Sequence, residues 1–130
     1  MRTLIVLAAL TAFAGWTSAA DLTGTYEGTW SSDNQGGGDL TMSFSPGDSG
    51  AIQAQVSFTN EGKTVKCDVK SVTFDGSKLQ LVMHYEADAN DFEVTVSGAL
   101  DHKTLSGTYK TKSLTGDSSG DTGTWKTTAV

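Results

Sequence analysis

After Arg2 the chain contains no arginine. A protein without guanidinium groups has no bidentate fork for phosphate or carboxylate. The charge balance points the same way, with fifteen carboxylates against nine basic residues and a net charge of −6. Such a surface repels nucleic acid and anionic lipid, which excludes nucleic acid as a partner class. Cys67 is the single cysteine, so no intrachain disulfide can staple the domain and a packed core must hold it. Its register with Val65 and Val69 predicts a buried thiol. Two histidines, His84 and His102, do not make a zinc site without a third ligand. Proline is nearly absent as well, Pro46 being the one example.

Long apolar runs are equally scarce. The one present spans residues 4–13, interrupted by Thr11 and preceded by Arg2. It is too short to cross a bilayer as a helix, and Ser18-Ala19-Ala20 supplies the small residues of a cleavage site. The expectation is a secretory signal peptide over 1–20, cleaved before Asp21, and a single domain over 21–130 in a secreted or periplasmic protein. An uncleaved anchor is the alternative. No cysteine follows the cleavage point, which argues against a lipoprotein, and no second apolar run predicts membrane insertion. Cleavage would remove the arginine and leave eight lysines against fifteen carboxylates, a charge of −7.

What remains has period two, broken by turn residues at intervals of roughly ten positions. Eight strands are predicted, over 22–31, 39–45, 51–59, 63–74, 78–86, 92–100, 104–111 and 122–128. Each carries one apolar face: Leu40, Met42 and Phe44 alternate with Thr41 and Ser43, and Leu79, Leu81, Met83 and Tyr85 alternate with Lys78, Gln80 and His84. The fourth strand changes phase, because Val65, Cys67 and Val69 share one parity while Val72 and Phe74 share the other. One extra residue near Lys70-Ser71 would restore a single apolar face, which predicts a β-bulge there.

Short links between consecutive strands favour an antiparallel up-and-down meander. Eight strands can close into a barrel, removing exposed edges; a flattened two-sheet β-sandwich is the alternative. An echo recurs at Gly24-Thr25-Tyr26, Gly107-Thr108-Tyr109 and Gly123-Thr124-Trp125. Glycine inside a strand lets it bend, or lets an aromatic ring lie over bare backbone.

Leu22-Thr23-Gly24-Thr25-Tyr26 and the closing Gly123-Thr124-Trp125 resemble the strand openings of small secreted calycin-type barrels, the lipocalin and avidin families. Glu27-Gly28-Thr29-Trp30 departs from the polar loop with which avidins hold biotin, so biotin is not implied. Gly24-Thr25-Tyr26 does not reproduce the lipocalin Gly-x-Trp, and only Gly28-Thr29-Trp30 has that spacing. The resemblance implies an architecture whose usual use is ligand binding.

A meander places alternate links at opposite ends. The links 46–50, 75–77 and 101–103 are compact turns, whereas 32–38, 60–62, 87–91 and 113–120 are longer and rich in Gly, Ser, Asp and Asn. Functional groups concentrate on long loops held by a rigid frame, so the second end is the expected mouth. It is acidic, with Asp33, Glu61, Asp88, Asp91, Asp117 and Asp121 at or near it. Asp88-Ala89-Asn90-Asp91 has part of a calcium-loop pattern but lacks its Gly and distal Glu; turn chemistry explains the same letters, and no metal or other cofactor is expected.

Nothing in the pattern reads as an enzyme. His84 falls on an outward parity, His102 in a tight turn, and no serine sits in a Gly-x-Ser-x-Gly context. The interior is the remaining candidate. Tyr26, Trp30, Tyr85, Tyr109 and Trp125 point inward with polar tips among aliphatics, which suits a pocket for an apolar molecule carrying a polar group. It suits a solid core equally, since eight strands enclose space that side chains just fill or that holds one small ligand. The reading is therefore an exported non-enzymatic barrel binding a small, mainly apolar ligand. The alternative is a loop-mediated interaction module with an extracellular protein or glycan partner.

Overall fold

The computed structural model describes residues 22–34, 36–47, 51–87, 89–115 and 120–130. The expected signal segment and its cleavage point lie outside them. Eight strands follow in order: β1 (Gly24–Ser32), β2 (Gly37–Pro46), β3 (Ile52–Asn60), β4 (Lys63–Phe74), β5 (Lys78–Ala87), β6 (Asn90–Asp101), β7 (Thr104–Ser113) and β8 (Asp121–Ala129). Each pairs antiparallel with its sequence neighbours, and β1 also pairs with β8 from Tyr26↔Ala129 to Ser32↔Gly123. The sheet is a closed up-and-down barrel, which decides against the sandwich.

Alternation produces the closure. Along β2, Leu40, Met42 and Phe44 are buried, and along β5 Leu79, Leu81 and Met83 are, while Lys78 and Gln80 between them are exposed. A one-residue slip would turn each set outward, so burial itself sets the register. The predicted bulge is at Lys70. Val69 pairs with Met83 and Ser71 with Val82, so Lys70 has no opposite number. The inward parity changes across it, and Cys67, Val69, Val72 and Phe74 all pack against the core.

The weakest closure is between β3 and β4. Their ladder covers Val56–Asn60 against Lys63–Cys67. Beyond it, residues 52–55 pair with β2 alone and residues 68–74 with β5 alone. Ile52, Ala54, Val69 and Phe74 are accordingly only half-buried.

The two ends differ, though less evenly than loop composition implies. Two of the links expected to be long are tight. Glu61 and Gly62 form a two-residue turn with φ of 54° and 81°, the pair of positive values a type I′ hairpin requires. The β5–β6 strands run on to Ala87↔Asn90, so the expected loop over 87–91 is mostly ladder. The longer links at this end, 33–36 and 114–120, join β1 to β2 and β7 to β8.

The core is solid at the compact-turn end. Leu22, immediately before β1, is fully buried there with Tyr26, Phe44, Leu79 and Leu105. Thr127, also inward, donates its hydroxyl to the Leu105 carbonyl at 2.9 Å. That bond satisfies a polar group that would otherwise be costly in the interior.

Candidate functional site

The other half of the barrel is not filled. A cavity of about 140 Å³ opens toward the long-link end and is lined by side chains from every strand except β4. Its floor is Met42, Met83, Val96 and Trp125; its walls include Leu40 and Val94; its upper part carries Trp30, Phe58, Tyr85 and Tyr109. Neither of the two readings of the interior was right for the whole barrel. One half is solid and the other is hollow.

Rings leave this space open because they pack against one another and against glycine. Around the upper barrel, Tyr109–Trp30, Trp30–Phe58 and Phe58–Tyr85 meet edge to face, with centroids 6.1, 5.8 and 5.1 Å apart, and Tyr85 stacks on Phe92 at 5.1 Å. Such pairs contribute about 1 kcal/mol each beyond burial and fix ring orientation. Tyr109 faces Gly123 across the β7–β8 ladder, and a Cβ there would sit 2.7 Å from its ring. Trp125 extends past Gly107 to Gly98, where a Cβ would sit 2.5 Å from the indole. Of the echo's three glycines only Gly123 makes room for a ring; a Cβ on Gly24 would meet open space and one on Gly107 the Ser97 backbone, while Gly98, outside the echo, clears space for Trp125.

Four of the five aromatics read from the sequence line the cavity: Trp30, Tyr85, Tyr109 and Trp125. Tyr26 does not. It lies in the solid half, 3 % exposed, with its ring edge-on to Phe44. The expected polar tips also change. Both lining indoles spend their N–H on the wall, Trp30 Nε1 on the Thr59 carbonyl and Trp125 Nε1 on the Thr108 carbonyl, each at 3.0 Å. They offer the cavity carbon surface only.

Besides the phenol oxygens of Tyr85 and Tyr109, its polar atoms come from residues the sequence reading had not singled out as ligand-binding. Asp121, the first residue of β8, is the single charged residue of the lining among the described residues, and Asn60 and Thr111 join it. Asp121 Oδ1 accepts from Ser32 Oγ at 2.7 Å and Asn34 Nδ2 at 3.1 Å, and Oδ2 accepts from Tyr109 Oη at 3.0 Å. Asp33 ties the same loop down, accepting from Thr122 Oγ1 at 2.8 Å while its N–H donates to the Thr122 carbonyl. Thr111 sits opposite Asp121 in the β7–β8 ladder and is 8 % exposed. Its hydroxyl has no hydrogen-bond partner among the described residues, nor has that of Tyr85. A threonine at an inward position of a threonine-rich strand was the one available signal, and period two alone does not separate it from the apolar set.

Three groups of the barrel, Tyr109, Tyr85 and Cys67, are held protonated. Burial, then the hydrogen bond to Asp121, raises the Tyr109 phenol well above its ordinary range. Burial, with Cys67 and Asp121 nearby, raises Tyr85. Half-buried Cys67 has its thiol pushed up to about 12 by burial. That shift removes the thiolate, the form that acts as nucleophile or metal ligand. Among the described residues, no three of His, Cys, Asp and Glu gather as a metal site. Asp88, part of the calcium-like segment, lies outside the described residues, as does Asp117; Asp91 N–H donates to Thr115 Oγ1, tying the β5–β6 hairpin to the β7–β8 link. His84 is on the outer wall, where its Nε2 and Lys112 Nζ meet the two oxygens of Glu93 at 3.2 and 3.5 Å. Comparison with family models, with curated proteins and with solved structures finds no match to this chain.

Proposed function

We propose that this chain is an exported, non-enzymatic barrel of lipocalin-like use, secreted or periplasmic, that binds a small and mainly apolar ligand in the cavity at its long-link end. The observation that carries the reading is the half-empty interior. A domain this size gains stability by filling its core, yet the space between Trp30, Tyr85 and Trp125 is left open while the opposite end is solid. An apolar cavity of about 150 Å³ accepts one benzene ring, so a volume of about 140 Å³ suits a single ring or a short branched chain. Hydroxyls on Thr111 and Tyr85 without a partner among the described residues support a ligand with one polar group. The resemblance to calycin-type barrels and the expected signal peptide fit the same reading.

Calorimetric titration with benzene, phenol and cyclohexanol tests it, alongside the melting temperature. Saturable one-to-one binding that disappears in a Val96→Phe variant, which fills the floor, is the expected result. Absence of saturable binding by all three, with the melting temperature unmoved, would overturn the proposal.

A further inference from the structure

We infer that the ligand is an amine, a single apolar ring or compact alkyl group bearing a protonated nitrogen, with the ring in the cavity and the ammonium at Asp121. The inference rests on the ligand-binding reading above and specifies the polar end of the ligand. Among the described residues that line the cavity, Asp121 is the one charged residue, and no lysine joins it. A carboxylate has about four acceptor positions. Ser32 and Asn34 take both on Oδ1 and Tyr109 takes one on Oδ2. Among the described residues, that leaves one acceptor position on a rigidly held carboxylate.

The neighbouring polar atoms complete an ammonium's needs. An ammonium has three donors and no acceptor. Thr111, nine-tenths buried, has no partner for its hydroxyl among the described residues and lies across the ladder from Asp121. Tyr85 Oη lacks one too among the described residues, and Asn60 joins the lining. Trp30 and Tyr109 line the same cavity with π systems that a cation would meet favourably. An anionic ligand meets the opposite situation, because both lining indole N–H groups are already committed to backbone carbonyls and a carboxylate already holds the wall. The net charge of −6 adds long-range attraction for cations and repulsion for anions.

Three ligands of one size separate the possibilities: benzylamine, benzyl alcohol and benzoate, titrated at neutral pH into the wild-type protein. The expected order is benzylamine about tenfold tighter than benzyl alcohol, the gain of a charge-assisted hydrogen bond, with benzoate not binding. Asp121→Asn should bring benzylamine down to the affinity of benzyl alcohol and leave the alcohol unchanged. Should that variant fail to fold, raising the salt on the wild type should reduce the amine's advantage in part, a half-buried contact pair being screened less than an exposed one, without moving the alcohol. Thr111→Val should weaken benzylamine further than benzyl alcohol. If the alcohol binds and the amine is no tighter, or the benzoate binds as well as either, the amine assignment is wrong and the apolar-ligand reading survives. If none of the three binds, both are wrong.

Discussion

Replacing Gly98 by alanine should destabilise this barrel, against the usual sign for such a change in an extended strand. Gly98 lies in β6 without a positive φ, so alanine meets no backbone objection. Restricting the unfolded chain would then stabilise the protein by about 0.4–1 kcal/mol. Packing outweighs this gain. The new Cβ would lie 2.5 Å from Trp125 Cζ2, 2.9 Å from Cη2 and 2.8 Å from the Ser106 carbonyl, where carbon atoms ordinarily rest about 3.5–4.0 Å apart. Overpacking of this kind costs roughly 1–3 kcal/mol. Turning the indole aside to relieve it would break the Nε1 bond to the Thr108 carbonyl and leave a buried donor unpaired, at about 1–3 kcal/mol more. A net loss near 3 kcal/mol is expected, out of a total stability of about 5–15. Urea unfolding followed by far-ultraviolet circular dichroism measures it without depending on tryptophan emission. The same change in a Trp125→Phe background should cost only about 1 kcal/mol, the share of the Ser106 contact, because phenylalanine lacks the outer ring that meets Gly98. Equal costs in the two backgrounds, within about 0.5 kcal/mol, would refute the claim that Gly98 is bare to admit Trp125.

Three further outcomes are expected. Leu22→Ala should cost about 3 kcal/mol by chemical denaturation, since Leu22 is fully buried at the solid end; an unchanged midpoint would mean that end closes without it. Deleting Lys70 should abolish cooperative unfolding, because Cys67 and Val69 would turn outward whenever Val72 and Phe74 stayed in, whereas Lys70→Ala should melt where the parent does. At alkaline pH the stability should fall: the folded protein keeps protons on Cys67, Tyr85 and Tyr109 that the unfolded chain releases. The contribution of Cys67 is fully present below its ordinary value of 9.0 and is lost as pH rises through about 12, so Cys67→Ala should flatten that part of the pH profile; parallel profiles would show the thiol has no part in it.

The amino-acid sequence by itself determined the strands, their inward faces and the bulge. These follow from local alternation, and a half-buried sheet enforces alternation residue by residue. Lys70 illustrates how far that goes: a phase change between Val69 and Val72 is visible as letters, and one extra residue is the simplest way to keep both on one face. Boundaries moved by one or two residues, as at Ala87↔Asn90, because polar residues pair in a ladder as readily as apolar ones once the strands are aligned. Parity, however, says only that a side chain points inward. Whether the inward space is full depends on how far each ring reaches across the barrel, and that is set by residues on neighbouring strands. Tyr26 and Tyr109 have the same parity and the same local motif, yet Tyr26 is packed edge-on to Phe44 in the solid half while Tyr109 lies against Gly123 and donates to Asp121. Closure of β1 on β8 puts Ser32 beside Asp121, 89 residues away, and turns a residue that reads as turn chemistry into the anion of a cavity wall. Contacts of that span exist only after the sheet has closed, so the hollow half of the barrel and its single charged group belong to the tertiary structure alone.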